Sequence, residues 1–198
     1  MIRSTLMIAA AAVAVSGCAL LSSPKPAQLY RFGADAPAAA QPPARAVEVG
    51  LRRIEFPEAV RGDRILGVTG AEAAYIKGAR WVSPADALYL DSLMSAAANA
   101  QRIRLIRPRD LAREQLALDV NVTTFEARYA APGAVPSVVV SADAAVVRLP
   151  TRELVATQRF SVTQPATENR VSAIVAAFDA ATRDLNTQLI GWADGAAR

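Results

Sequence analysis

The chain has 198 residues with 22 basic and 18 acidic side chains, a formal net charge of +4, one cysteine and no histidine. These counts exclude histidine-based catalytic triads, the usual zinc ligand sets and any disulfide within the chain. The sequence also lacks the glycine-rich loops that bind nucleotide phosphates. We therefore expect no catalytic residues, no metal site and no bound cofactor, and we interpret the protein as a non-enzyme.

The first residues have the pattern of a bacterial export signal. Arg3 supplies a positive charge, Leu6–Val15 is apolar, and Ser16 and Gly17 are the small residues that a signal peptidase requires before Cys18. The apolar run is well short of the roughly 20 residues that span a bilayer. The sequence Val-Ser-Gly-Cys resembles the bacterial lipobox, whereas an ordinary secretory signal with a chance cysteine is the alternative.

The lipobox resemblance implies a signal peptide of residues 1–17, cleavage between Gly17 and Cys18, and a mature chain beginning at Cys18. The cysteine would carry a diacylglyceryl thioether and an N-linked acyl chain, and two such lipid signals already suffice for stable anchoring. Residues 18–29 are small, polar and proline-bearing, which predicts a lipidated tether. No aspartate follows Cys18, which favours the outer membrane with the domain in the periplasm, although the inner membrane stays open.

Residues 30–194 are interpreted as one domain that begins with short strands. Four segments have strand character before the first helix: Tyr30–Phe32, Val47–Leu51, Arg64–Val68 and Ala73–Ile76. In the second, apolar and polar residues alternate, as in a strand with one buried face. Between the first two, the alanine- and proline-rich residues 34–44 predict a flexible loop.

Ser83 and Pro84 predict the start of a helix, with Ser83 as the cap, Pro84 at the first helical position and Asp86 in the first turn. The predicted buried face of this helix consists of Ala87, Leu90, Leu93, Met94 and Ala97. Such a face indicates packing on a sheet.

After a short strand at Ile103–Ile106, three long strands follow. Residues 116–122 alternate cleanly, and the apolar phase then shifts to Phe125 and Tyr129, which predicts a bulge. A proline-containing turn separates this strand from the second, Val138–Val146, and another separates the second from the third, Leu154–Val162. Consecutive hairpins of this kind predict an antiparallel meander.

The last predicted element is a long helix from Asn169 to Trp192. Its apolar stripe contains Val171, Ile174, Val175, Phe178, Thr182, Leu185, Leu189 and Trp192, and its polar side contains Asp179, Arg183, Asp184 and Asn186. We expect the stripe to pack on the sheet of its own chain, because a coiled-coil partner would need more heptads. The predicted fold class is α+β, an antiparallel sheet with two helices packed on one face.

Five arginines are close together in sequence: Arg102, Arg104, Arg107, Arg109 and Arg113. We interpret them as a solvated edge beside a helix. In an exported protein the alternatives are anionic lipid headgroups or an acidic protein face, and not a nucleic acid.

The central part of the chain carries a more specific pattern. After the segments Ile54–Glu58 and Asp63–Leu66 come Tyr75, the pair Arg80-Trp81, and Pro84. With the lipobox, the early strand Tyr30–Phe32 and the terminal helix, this order resembles the ABC-type transport auxiliary lipoprotein family, best known from its PqiC type. The resemblance extends from Cys18 to about residue 192.

The resemblance implies a non-catalytic adaptor of ABC permeases whose substrate-binding subunits have the mammalian-cell-entry fold. Such systems move phospholipids or other hydrophobic molecules between inner and outer membranes. The implied partners are the mammalian-cell-entry protein with its permease and ATPase, the outer membrane through the lipid anchor, and further copies of the chain. The alternatives are an outer-membrane assembly or channel-associated lipoprotein, and a periplasmic carrier that holds one lipid in a cavity.

Tyr75, Arg80 and Trp81 are the candidate partner-docking residues, because arginine and tryptophan are enriched among interface hot spots. A competing interpretation is that Trp81 fills the space between the first helix and the sheet, with Arg80 exposed and without a role. We interpret Pro84 as helix punctuation alone.

Overall fold

The structure is a computed structural model, and it describes residues 26–33, 46–107 and 114–197. The predictions for the lipobox, the cleavage site at Gly17 and Cys18, the first part of the tether, the alanine- and proline-rich loop, Arg109 and Arg113 lie outside these residues.

The described residues form eight strands and three helices. The strands are β1 (Gln28–Tyr30), β2 (Val47–Glu55), β3 (Arg64–Thr69), β4 (Glu72–Trp81), β5 (Ile103–Ile106), β6 (Leu116–Tyr129), β7 (Ser137–Arg148) and β8 (Glu153–Pro165). The helices are α1 (Glu58–Arg61), α2 (Ala85–Ala97) and α3 (Val171–Ala196). The first strand lies at Gln28–Tyr30 and shares only Tyr30 with the predicted Tyr30–Phe32. The other predicted strands are found, and β4 continues past its predicted end at Ile76 to Trp81.

Strand β6 is the centre of a single sheet. One of its edges pairs with β7, and β7 pairs with β8, both antiparallel, which confirms the predicted meander. The other edge of β6 is shared by β2 and β3, which both run parallel to it. Strand β5 pairs with β2 and β1 with β4, again in parallel, whereas β3 and β4 form an antiparallel hairpin. The α+β fold class is confirmed, and the sheet is mixed.

The predicted bulge in β6 is confirmed. The register with β7 shifts between Val122 and Thr124, so that Thr123 is an extra residue without its own partner. Because of this extra residue, Val122 and Phe125 both point into the core although they are three positions apart.

The predicted start of α2 is wrong in its details. Ser83 does not cap the helix, which begins at Ala85 after Pro84 in the cap position. The first amides are bound differently, since Ala85 N donates to the Gly62 carbonyl at 3.0 Å and Ala87 N donates to Asp86 Oδ1 at 2.8 Å. An upstream carbonyl and a first-turn carboxylate therefore do what a serine cap would do.

The predicted buried face of α2 is also partly wrong. The residues that the structure buries are Ala85, Leu88, Tyr89, Ser92, Leu93 and Ala97. Ala87 is exposed, and Leu90 and Met94 are only partly buried. The spacing of purely apolar residues along the helix predicted the wrong face, because Tyr89 and Ser92, two residues with hydroxyl groups, occupy core positions.

Helix α3 packs its apolar stripe on β7 and β8 and lies beside α2, which confirms that both long helices cover one face of the sheet. Its polar side was predicted to contain Asn186, and this is wrong. Asn186 is 0% exposed, and its Nδ2 donates to Ser92 Oγ at 3.1 Å. This hydrogen bond across the interface of α2 and α3 offsets part of the cost of burying the amide, whose Oδ1 has no hydrogen-bond partner among the described residues.

Aromatic rings fill the space between helices and sheet. Phe178 of α3 lies 4.8 Å from Phe125 of β6 and 5.4 Å from Trp81 of β4, measured between ring centroids. Trp81 also meets Phe32 edge-on at 5.0 Å. Tyr89 of α2 lies fully buried near this cluster, and burial raises the pKa of its hydroxyl.

Gly33 connects the end of β1 to both long helices. Its N–H donates to Asp179 Oδ1 of α3 at 2.6 Å. Its φ angle is +72°, and a Cβ atom there would lie 2.7 Å from Ser92 Cβ of α2. Both the left-handed backbone and the close approach of α2 therefore require glycine.

Replacing Phe178 by alanine should lower the free energy of unfolding by about 3–5 kcal/mol, because it removes the ring that joins α3 to β4 and β6. Urea denaturation measures this loss. The matched control is Gln188→Ala, an exposed position on the same helix, for which we expect a change within about 0.5 kcal/mol. Equal effects of the two substitutions would contradict this description of the core.

Gly33→Ala should destabilise the protein more than Gly133→Ala. Both glycines have positive φ, so both substitutions incur backbone strain of about 1–2 kcal/mol. Only at Gly33 does the new Cβ meet another residue, because nothing lies within 4 Å at Gly133. We expect overpacking to add about 1–3 kcal/mol at Gly33, measured as the difference between the two urea unfolding curves. Equal losses would show that α2 moves away freely.

Candidate docking surface beside the β3–β4 hairpin

The three predicted docking residues do not share one surface. All three lie on β4, where successive side chains point to opposite faces of the sheet. Ala79 and Trp81 point into the core, whereas Arg80 points to solvent. The neighbouring residues Arg80 and Trp81 therefore cannot contact the same partner through their side chains.

Trp81 belongs to the core. Its side chain is 2% exposed and lies among Phe32, Phe125 and Phe178. The interpretation that Trp81 fills the space between helices and sheet is therefore the one that the structure supports. In this chain Trp81 offers no side-chain surface for docking.

Arg80 is half exposed and oriented by an acidic neighbour. Its Nη1 lies 2.9 Å from Asp63 Oδ1 and 2.8 Å from Asp63 Oδ2. Asp63 directly precedes β3, whose first residue, Arg64, pairs with Arg80 across the hairpin. Asp63 thereby pairs with Arg80, and Arg64 has no carboxylate partner among the described residues.

Tyr75 is held at the same end of the hairpin, partly exposed. Its hydroxyl donates to the Ala59 carbonyl of α1 at 3.1 Å. The guanidinium carbon of Arg64 lies 3.8 Å from the centre of its ring, within the range of a cation–π interaction. Tyr75 and Arg80 are thus brought together through Asp63 and Arg64, two residues that sequence reasoning did not select.

We call Ala59, Asp63, Arg64, Tyr75 and Arg80 the hairpin surface. It borders a solvent-open hollow of about 420 Å³ between α1 and the start of α2, which Asp63, Arg64 and Asp86 help to line. In a regular hairpin around Thr69-Gly70, position 64 would lie opposite position 77. The register shifts between Leu66 and Arg64, so that Arg64 pairs with Arg80 instead, and no local sequence pattern indicates this shift.

Two of the three described arginines in the arginine-rich segment, Arg104 and Arg107, have paired side chains. Arg104 forms an ion pair with Glu48, and Arg107 lies 3.2 Å from Asp91. The backbone N–H groups of Arg102 and Ile103 both donate to Asp194 Oδ1 of α3, at 2.7 and 3.0 Å. These contacts favour the interpretation of a solvated edge beside a helix.

Two further grooves are open to solvent. One, of about 430 Å³, lies between α2 and α3 and is lined largely by small residues such as Ser92, Ala96 and Gly191. The other, of about 520 Å³, lies on the opposite face of the sheet, where Asp143 accepts hydrogen bonds from Arg159. The hydrogen bond from Arg159 lowers the pKa of the Asp143 carboxyl. Neither groove is an enclosed cavity.

Within residues 26–33, 46–107 and 114–197, no group of three or more acidic, cysteine or histidine side chains is arranged to hold a metal ion. In those same segments, no helix is both long and apolar enough to cross a membrane.

Several solved structures share this fold. Protein XCC0632 from Xanthomonas campestris superposes with a TM-score of 0.70 at 24% identity, over 85% of this chain and 96% of that one. An uncharacterized protein superposes with a TM-score of 0.66 at 15% identity, over 85% of this chain and 99% of that one. The hypothetical protein CT253 from Chlamydia trachomatis superposes with a TM-score of 0.52 at 7% identity, over 76% of this chain and 96% of that one. No curated protein matches the chain in sequence.

The sequence model of one family matches residues 30–190, from the end of β1 almost to the end of α3. The match thus includes the sheet, both long helices and the whole hairpin surface. The chain belongs to the family described as the ABC-type transport auxiliary lipoprotein component.

Proposed function

We propose that this protein is a lipid-anchored, periplasmic component of an ABC-type transporter that moves phospholipids or other hydrophobic molecules between the inner and outer membranes. Its direct partner is a mammalian-cell-entry substrate-binding protein, which acts with a permease and an ATPase. The observation that carries this proposal is the family match over residues 30–190, which identifies an auxiliary lipoprotein of ABC-type transport.

The anchor in this proposal is covalent lipid on Cys18, the only cysteine of the chain. Cleavage between Gly17 and Cys18 leaves a short tether to β1. A diacylglyceryl group and an N-linked acyl chain then hold the domain at the outer membrane, because two lipid signals suffice for stable attachment. No other cofactor is proposed.

The role of the domain is that of a non-catalytic adaptor. Contacts between Trp81, Phe125 and Phe178 fill the space between helices and sheet. A filled core favours an adaptor over a carrier that encloses a lipid between these layers. An adaptor needs an accessible surface whose side chains are already held in place, since ordering them on binding lowers affinity.

Tyr75 and Arg80 are proposed to dock the partner, together with Arg64. All three are at least partly accessible, and contacts within the chain restrict each of them. Trp81 contributes indirectly, because its burial fixes the strand from which Arg80 projects. Docking through tyrosine and arginine side chains fits the composition of interface hot spots.

The first experiment is a pull-down of the lipidated protein from its own membranes, with mass spectrometry of the bound proteins. Recovery of a mammalian-cell-entry protein with its ABC permease would support the transport role. Recovery of a secretin or another outer-membrane channel without transporter subunits would overturn it in favour of an assembly role.

We expect Cys18→Ala to yield an uncleaved precursor that folds but is not acylated, and that fails to complement a deletion strain. Metabolic labelling with an alkyne fatty acid, membrane fractionation and complementation measure these effects. The control is Ser23→Ala in the tether, which should be acylated and functional. Full complementation by Cys18→Ala would contradict the anchoring proposal.

Arg80→Ala and Tyr75→Ala should each reduce recovery of the transporter subunits about tenfold or more, the factor that corresponds to the loss of a hot spot. The matched control for Arg80→Ala is Arg159→Ala, which also removes a strand-borne arginine paired with an aspartate. Exposed ion pairs contribute at most about 1 kcal/mol to stability, so both arginine variants should fold, and the folding of Tyr75→Ala is checked by urea denaturation. Equal recovery with Arg80→Ala and Arg159→Ala would show that the partner docks elsewhere.

A further inference from the structure

The edge of the sheet formed by β1 carries an unusual set of exposed side chains. Leu29 pairs with Arg80 of β4 in parallel register. The ladder continues beyond β4, since Val82 N donates to the Tyr30 carbonyl at 2.7 Å, and this places Val82 beside Arg31. Leu29, Arg31, Arg80 and Val82 therefore lie on one face, with apolar and basic residues alternating. We call Leu29, Arg31 and Val82 the edge face, because Arg80 already belongs to the hairpin surface.

Both apolar members of the edge face are among the exposed large apolar residues of the described segments. Leu29 is 54% exposed and Val82 is 44% exposed, whereas Tyr30 and Trp81 between them point inward. A single exposed apolar side chain is ordinary. Two on one small face, next to arginine, indicate a surface that is covered in the working state.

The positive charge of the edge face is that of Arg31. Arg31 is exposed and has no ion-pair or hydrogen-bond partner for its guanidinium among the described residues, although most described arginines lie beside a carboxylate. Asp63, which lies beside the same end of β4, is paired with Arg80.

We propose that the edge face rests on the surface of the membrane that holds the lipid anchor. Leu29 and Val82 enter the interface, and Arg31 binds the phosphate of an anionic phospholipid headgroup. Basic residues beside apolar ones are the combination that binds such interfaces. This inference depends on the proposed lipidation of Cys18.

The position of the anchor in the sequence is what favours a membrane over a protein partner. Leu29 follows Cys18 by about 11 residues, and an extended chain spans at most roughly 3.6 Å per residue, so the edge face stays within about 40 Å of the anchored lipid. The hairpin surface can bind a protein at the same time. Arg64 lies on β3, which is on the far side of β4 from β1.

The test places an environment-sensitive fluorophore on a cysteine introduced at Leu29 or at Val82 in the full lipidated protein. The protein is reconstituted into vesicles of phosphatidylethanolamine with phosphatidylglycerol, or of phosphatidylcholine alone. The matched control is Leu154→Cys, because Leu154 is 58% exposed on β8 at the opposite edge of the sheet. The unsubstituted parent tests the anchor, since lipidated Cys18 cannot take the label.

We expect blue-shifted, quencher-protected emission from the labels at positions 29 and 82 in the anionic vesicles, and solvent-like emission at position 154. Arg31→Gln should weaken the contact about fivefold, which is the factor for one basic residue at an anionic surface. We expect a similar weakening of the contact in vesicles of phosphatidylcholine alone, because they lack anionic headgroups.

Two results would overturn the inference. One is solvent-like emission at positions 29 and 82 that equals that at position 154. The other is protection of these labels from the quencher that increases with the density of protein on the vesicles and is the same in anionic and phosphatidylcholine vesicles. That result would identify a second copy of the chain as the occupant. Labelling of the parent would instead show that Cys18 is free, and would reject the proposed anchor separately.

Discussion

The contact between Trp81 and Phe178 is the interaction on which the rest of the structure depends. Trp81 ends β4, which carries the edge strand β1, and Phe178 lies on α3, which covers β7 and β8. Phe125 of the central strand lies against both rings. One ring cluster thereby joins an outer part of the sheet, its centre and the helix layer, and it places Arg80 on the solvent side by strand alternation.

Helix α3 also fastens the chain through its own carboxylates. Asp179 accepts the N–H of Gly33 directly after β1, and Asp194 accepts the N–H groups of Arg102 and Ile103 at the start of β5. These strands are the two short ends of the strand order that runs through β6. A short end strand makes few ladder hydrogen bonds, so these three hydrogen bonds to α3 help to hold both ends in place.

Local patterns in the sequence predicted most of the elements and failed at specific residues. Alternation is a property of neighbouring residues, so the meander and the bulge after Val122 could be predicted. The parallel pairing of β2 and β3 with β6 depends on contacts between distant segments, and no local pattern encodes it. Tyr89, Ser92 and Asn186 were misplaced because burial of a polar side chain depends on what faces it, here the Ser92–Asn186 hydrogen bond.

The candidate site was predicted only in part for a related reason. Tyr75 and Arg80 share a surface, but the sequence could not reveal that the β3–β4 bulge pairs Arg64 with Arg80, or that Arg64 lies over the ring of Tyr75. The adjacent residues Arg80 and Trp81 have different roles, since Trp81 packs in the core and Arg80 lies on the surface. Burial of Trp81 makes the strand rigid, and this rigidity positions Arg80 next to Asp63 without any help from a partner. A surface ordered in this way loses little conformational entropy on binding.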